Sequence, residues 1–270
     1  MLSINTDFVQ SHGDPEPYLR HIAEAGFTHV HWVHHWGGDF MYSPSEIAHI
    51  DQSLKTYGLI FSDLHASEGS EKFWLSKKEY ARLAGVELVK NRLDMTAQLG
   101  GDAIVLHVQP DGMNDDPQPA FWDRFHRSMD ALLPYATERN VHIAFENLFP
   151  RNHETLKQIL AQYSPEQVGI CYDSGHGNLI GDGLDFLEIV KDRLVVLHLN
   201  DNDATGDQHN CLFTGTVDWA REARLIAASS YNKPLSMELS VRDSGIKKPA
   251  DFLAQAMVTG TQFAEMVAKS

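Results

Sequence analysis

Apolar residues fall along this chain in two alternating rhythms. Short uninterrupted runs, such as AIVL from Ala103 and LVVL from Leu194, have the character of strands buried on both faces. Longer stretches between them repeat apolar residues every three or four positions, as a helix with one buried side does. Strands are predicted in LSINT near the start, HVHWVHHW from His29, LIFSDLHA from Leu59 and DAIVLHVQ from Asp102. Four more follow in VHIAFENL from Val141, VGICYDSGH from Val168, RLVVLHLND from Arg193 and PLSMELS from Pro234. Helices are predicted over 14–25, 44–57, 118–139, 152–163, 183–191, 217–229 and 249–268. Another begins at Ser76, where Ser76 and Glu79 have the spacing of a capping box. Its apolar side is Leu83, Val86, Val89, Leu93 and Ala97, and it stops at Gly100-Gly101.

Strand and helix thus alternate eight times, which predicts a parallel sheet with helices outside it. At 270 residues, a single (β/α)8 TIM barrel spanning 1–270 is the expected α/β fold. An open doubly wound sheet is the alternative, but no glycine-rich phosphate loop follows the first strand. No linker, low-complexity tract or second domain is evident. The 43% hydrophobic content supplies a large core, yet no apolar run is long enough to span a membrane. The opening MLSINTDFVQ lacks the basic-then-apolar pattern of a signal peptide. Two cysteines, Cys171 and Cys211, make no disulfide framework, so a cytoplasmic location is expected. The formal charge of −15 argues against a broad nucleic-acid footprint.

Every strand from the third onward ends in a residue type that ligates metal. These are His65, His107, Glu146, Asp173 with His176, His198, and Glu238. Asp207 and His209 follow in the loop after the seventh strand, in the crowded stretch HLNDNDATGDQH. In a parallel barrel all C-terminal strand ends share one face, so these residues converge. Carboxylates gathered without a cation would repel and protonate, and imidazoles shift the choice of ion away from Mg²⁺. Gly206 is expected to let the loop bend back over the site. Asn200, Asp201, Asn202 and Asp203 are read mainly as turn and capping residues.

The series FEN, CYDSGH, HLND, DQH, GTVDW and MEL resembles the xylose isomerase-like barrels. That superfamily joins sugar phosphate isomerases and epimerases with the endonuclease IV class, and the resemblance runs from SDLHAS to MELS. It implies one divalent ion (Mn²⁺, Co²⁺, Zn²⁺ or Mg²⁺) held by Glu146, Asp173, His198 and Glu238. The two glutamates would also serve as acid and base around a metal-stabilised enediolate, with His176 orienting the substrate or a glutamate. The substrate implied is a sugar, sugar phosphate or keto-polyol, and a polyol dehydratase is an alternative on the same barrel. Dimers and tetramers are common in the resembling family, so a homo-oligomer is open. The endonuclease IV class implies instead up to three Zn²⁺ and a phosphodiester hydrolase. Its ligands would be His65, His107, Glu146, Asp173, His176, His198, Asp207, His209 and Glu238. Against that reading, ENLFPRNHE and DSGHGNLIGDG replace the ENTAGQG and DTCHAFAAGYD that the class resembles. The segment QPDGMNDDPQPAFW is also acidic where a DNA backbone would pass.

Weaker signals concern the substrate. Trp36 is a candidate wall for a sugar ring, and at most one of His34 and His35 is expected to face the pocket. Arg242 and Arg151 are candidates for an anionic group, with surface ion pairs as the plain alternative. Cys171, two residues before Asp173, is expected to point inward as a small core residue. Met237 and Leu239 are expected to face the outer helices.

Overall fold

The computed structural model describes residues 1–111, 117–149 and 151–270. The strands are β1 (Leu2–Asn5), β2 (His29–Trp32), β3 (Ile60–His65), β4 (Ala103–Leu106), β5 (His142–Glu146), β6 (Val168–Asp173), β7 (Leu194–His198) and β8 (Leu235–Met237). All neighbours pair in parallel, in the order β7-β6-β5-β4-β3-β2-β1-β8. Residues just past the outermost strands join the two ends. Leu199 N donates to Ser236 O at 2.9 Å, and Glu238 N donates to Leu199 O at 3.1 Å. The sheet is therefore a TIM barrel.

Among the described residues the helices are α1 (Glu16–Glu24), α2 (Pro44–Tyr57), α3 (Glu79–Gln98), α4 (Pro119–Glu138), α5 (His153–Gln162), α6 (Ser174–Ile180), α7 (Gly183–Val190), α8 (Trp219–Ala227) and α9 (Pro249–Lys269). None is long and apolar enough to cross a membrane. The main core lies between barrel wall and helices, where Val30, Leu64, Ile104, Phe145, Ile170 and Leu197 meet Leu93, Phe125 and Phe252. Met237 packs outward, close under Gly260 of α9. A separate cluster of small side chains, Ala103, Val105, Ala144, Cys171 and Val196, lies apart from the main core. Cys171 is thus a buried, free thiol.

Three expectations about local structure change. α3 starts at Glu79 and not at Ser76. Ser76 Oγ accepts from Lys78 N at 3.2 Å, a short turn in place of a capping box, and Glu79 is spent on Arg82 and Arg127. Leu83 lies on the outer side of α3, 53% exposed, while Val86, Val89 and Leu93 are buried. Helix α6 is an addition: SGHGNLI reads as a strand end and loop, but Asp173 Oδ1 accepts from His176 N at 2.7 Å and starts a helix. Its glycine serves close packing, because a Cβ on Gly175 would meet Asn200 Oδ1 at 2.0 Å.

Gly85 gives a direct check on this packing. A Cβ there would meet Phe73 C and Trp74 N at 2.4 Å, and both are backbone atoms. Alanine is intrinsically better in a helix than glycine by about 1 kcal/mol. Gly85→Ala should nonetheless lower stability, by about 1–3 kcal/mol from overpacking. Urea unfolding of the two proteins measures this; a stabilised variant would contradict the packing described.

Candidate metal and active site

The C-terminal rim of the barrel delivers the polar residues to one place. His65, Glu146, Asp173 and His198 are the last residues of β3, β5, β6 and β7. His107 and Glu238 directly follow β4 and β8, and His176 lies in the first turn of α6. Asp207 and His209 come from the loop after β7. That loop turns through left-handed backbone at Ala204 (φ 63°) and His209 (φ 50°), not at Gly206. An antiparallel bridge between Asp201 and Asn210 holds it. Asp201 is spent on this scaffold, accepting from Trp219 Nε1 at 2.9 Å and Val217 N at 3.2 Å.

The sequence-predicted residues fall into three groups, two of which share Glu146. Glu146, Asp173, His198 and Glu238 are all buried and offer ligand atoms within 4.8 Å of one another. His65, His107 and Glu146 make a second group by the same measure, and His176, Asp207 and His209 a third. In the central group His198 Nδ1 lies 3.0 Å from Glu238 Oε2 and 3.4 Å from Glu146 Oε2. Neither nitrogen of His198 makes an aligned hydrogen bond. Side chains that converge on a common point without pairing fit a divalent cation at that point, and this oxygen and nitrogen set suits such an ion.

The outer histidines, unlike His198, are each oriented through Nδ1. Nδ1 of His176 approaches Asn147 O at 3.0 Å, and Nδ1 of His209 approaches Glu238 O at 3.1 Å. Nδ1 of His65 lies 3.3 Å from Ala66 O, and Nδ1 of His107 lies 3.0 Å from Glu68 Oε2. Each Nε2 is left for the shared space: His65 Nε2 and His107 Nε2 are 3.1 Å apart, and His176 and His209 both reach Asp207, at 3.5 and 3.1 Å. A ligating histidine typically has its second nitrogen tied in this way.

Electrostatics follow from burial and crowding. Burial pushes Asp173 up to about 6, the His176 charge opposes this and the Glu146 charge adds to it. Burial also works to raise Glu146, but the charges on His198 and His107 hold it well below the usual carboxylate range. Glu238 is likewise held low by His198 against its own burial. His107 stands at about 9, because Glu146 and Glu68 outweigh the desolvation that lowers it. Burial wins at His65, which is lowered. Without a cation, the carboxylates stay ionised only by charging their histidine neighbours.

A cavity of about 440 Å³ opens beside this cluster, lined by Asp7, Trp36, Asp207, His209, Glu238 and Arg242 among others. Trp36 lines this cavity, its ring 4.7 Å from that of His65. Arg242 lines the cavity, but donates to Asp243 at 2.9 Å and to Asp207 O at 2.8 Å. Arg151 pairs with Asp182 at 2.7 Å on the surface. His34 and His35 line a separate cavity, with Trp32, Phe40 and Tyr42. The acidic stretch after β4 falls partly on 112–116, outside the described residues.

Four residues of the site go unnoticed in the sequence. Asp7, just past β1, faces Glu238, and burial and that charge both push it up. Glu68 orients His107. His31 and Asp63 lie beneath the ligands. For His31 and Asp63 a signal exists: His29 and His31 share one face of β2, and Asp63 shares the face of His65. Asp7 and Glu68 sit in irregular backbone that carries no such periodicity.

Barrel and rim together define a class, and the sequence agrees: the chain belongs to the xylose isomerase-like TIM barrel family, whose profile matches residues 19–256. One relative is the uncharacterized protein y4fM of Sinorhizobium fredii, 34% identical over 92% of this chain and 88% of that protein. Among solved structures, a D-tagatose 3-epimerase-like protein superposes with a TM-score of 0.80 at 18% identity, covering 99% of this chain and 98% of that one. An L-ribulose 3-epimerase gives 0.78 at 16% identity, covering 99% and 95%. These last two likenesses are of fold.

In chelated protein, Asp207 should show its pairing through pH. Burial works against it, yet His176 and His209 hold Asp207 far below its ordinary value, while His209 is raised to about 10, with Asp207 outweighing its desolvation. A raised histidine contributes its full stability below its unfolded value of about 6.5. That contribution is lost as pH rises through about 10. Wild type should therefore exceed Asp207→Asn in stability most clearly near pH 6, and the gap should shrink toward pH 10. Urea unfolding in EDTA across this range measures it; a gap independent of pH would contradict the pairing.

Proposed function

We propose that the protein is a divalent-metal-dependent isomerase or epimerase acting on a sugar or related polyhydroxy carbonyl compound. The observation that carries this reading is the pair Glu146 and Glu238, both buried and converging on His198 Nδ1 at 3.4 and 3.0 Å, with Glu238 lining a cavity of sugar size. Structures of the same fold that are described as L-ribulose 3-epimerase and D-tagatose 3-epimerase-like support it. Glu146, Asp173, His198 and Glu238 would hold the ion, with Mn²⁺, Co²⁺, Zn²⁺ and Mg²⁺ the candidates. When bound, the ion supplies Lewis acidity toward a carbonyl and a neighbouring hydroxyl.

Proton transfer falls to the glutamates. One carboxylate removes the proton from the carbon next to the carbonyl, and the other carboxyl returns a proton to the same or the adjacent carbon. His176 Nδ1, bonded to Asn147 O, also lies 3.2 Å from Glu146 Oε1, so the ring sits against that carboxylate. Asp7, pushed up by burial and by the Glu238 charge, lines the cavity beside Glu238, where a substrate hydroxyl would lie. Trp36 offers a flat apolar wall to the C–H face of a sugar. Arg242 is already engaged with Asp243, which favours an uncharged substrate over a sugar phosphate.

A second reading, a multi-zinc phosphodiester hydrolase of the endonuclease IV kind, draws support from the two flanking three-residue groups. The charge around the cavity counts against it. Asp7 and Asp207 line the mouth beside Arg242, whereas a DNA backbone needs several Lys and Arg contacts.

Exchange of the substrate carbon-bound proton with deuterated water tests the proposal, with D-tagatose and D-psicose as first probes. Glu146→Gln and Glu238→Gln should each slow exchange by about 10²–10⁴-fold, with the far-UV circular dichroism unchanged. Retained exchange in either variant removes its acid–base role. Zinc-dependent nicking of abasic-site DNA that is lost in Glu146→Gln would put the hydrolase first.

A further inference from the structure

Below the candidate ligands lies a polar pair that the proposed chemistry leaves unused. His31 on β2 and Asp63 on β3 are register partners in the sheet, and both are sealed from solvent. His31 Nδ1 is hydrogen-bonded to Asp63 Oδ1. A carboxylate accepts, so Nδ1 is the donor in this bond, and a ring carrying that one hydrogen has its lone pair on Nε2. That Nε2 is buried and has no partner. His198 turns Nδ1 toward Glu146 and Glu238, and its own Nε2 is likewise buried without a partner. The two rings lie 4.5 Å apart between centroids, tilted by 54°. His31, His198 and Glu238 offer nitrogen and oxygen atoms within 4.8 Å of one another.

Two buried nitrogens without partners, on rings 4.5 Å apart between centroids, are costly unless they satisfy each other. One hydrogen does so, if it sits on His198 Nε2 and is donated to His31 Nε2. We infer that Asp63 and His31 form a positioning relay beneath the metal site. Asp63 fixes the tautomer of His31, and His31 in turn fixes His198 so that its Nδ1 lone pair faces the cation. The relay rests on the reading of His198 as a ligand. The four outer histidines have a carbonyl or Glu68 on the second nitrogen, and His31 fills that place for His198. The Cys171 thiol is the rival partner within reach, but sulfur is a weak acceptor.

The test is Mn²⁺ affinity of chelator-stripped protein, read from the spin-resonance signal of free Mn²⁺. Asp63→Asn and His31→Gln should bind about 10–100-fold more weakly than wild type, the usual loss when a ligating histidine loses its outer partner. Cys171→Ala should bind as wild type does. Unchanged affinity in both relay variants, or a loss in Cys171→Ala alone, overturns the relay. A wild-type protein that binds no Mn²⁺, Co²⁺, Zn²⁺ or Mg²⁺ overturns the ligand reading and the relay's purpose with it. Nitrogen-15 resonances of the histidine rings in wild-type protein decide the matter without any variant. The relay requires the hydrogen on Nδ1 of His31 and on Nε2 of His198, and a hydrogen on Nε2 of neutral His31 overturns it.

Discussion

Charge held away from water is the constraint on which this molecule turns. Glu146, Asp173, His198 and Glu238 are between 0% and 8% exposed. Taking an ion out of water costs several kcal/mol even after relaxation, and like charges side by side add to it. In the metal-free chain the histidines bear the compensation, which is why His107 and His209 rise and Glu146 falls. A divalent cation answers the same need more directly, because ligand atoms within 4.8 Å of one another can all point at one centre. The burial that makes the cluster expensive would also strengthen a bound cation as a Lewis acid.

Neutral groups hold the cluster in shape. Asp173 receives Asn200 Nδ2 on one oxygen and His176 N on the other, at 2.8 and 2.7 Å. Asn147 clasps the backbone of the same residue, accepting from Asp173 N at 2.7 Å and donating to Asp173 O at 2.9 Å. Ser174 Oγ ties the start of α6 to Asn200 O at 2.6 Å. These contacts cross between β5, β6 and the end of β7, so Asp173 is positioned from both neighbouring strands. Rigid strands with cross-strand amides give tighter geometry than a loop does. The peripheral candidates Asp207 and His209, by contrast, come from a loop braced by turn residues and one short bridge.

Much of this was legible in the residues themselves. Unbroken apolar runs such as AIVL marked strands buried on both faces, and the ligand types at strand ends followed from the shared rim of a parallel barrel. Periodicity told less where local chemistry took over. Ser76 has a capping residue's identity, yet it closes a turn onto Lys78, since Glu79 is drawn to Arg82 and Arg127. SGHG looks like a loop because glycine is poor in helices, whereas Gly175 is there to let Asn200 approach. Gly206 is free to turn, but Ala204 and His209 carry the left-handed backbone. His31 and Asp63 were hidden in plain alternation: an inward polar residue low in a barrel strand reads as an exception until its partner on the next strand is known.

Elemental analysis of protein purified without chelator or affinity tag tests the central claim most directly, because it asks whether the buried cluster holds an ion. About one tightly bound divalent ion per chain is the predicted result for the four-ligand site, with the ion lost when Glu146 is changed to Gln. A chain that neither retains such an ion nor takes one up from Mn²⁺, Co²⁺, Zn²⁺ or Mg²⁺ would contradict the account.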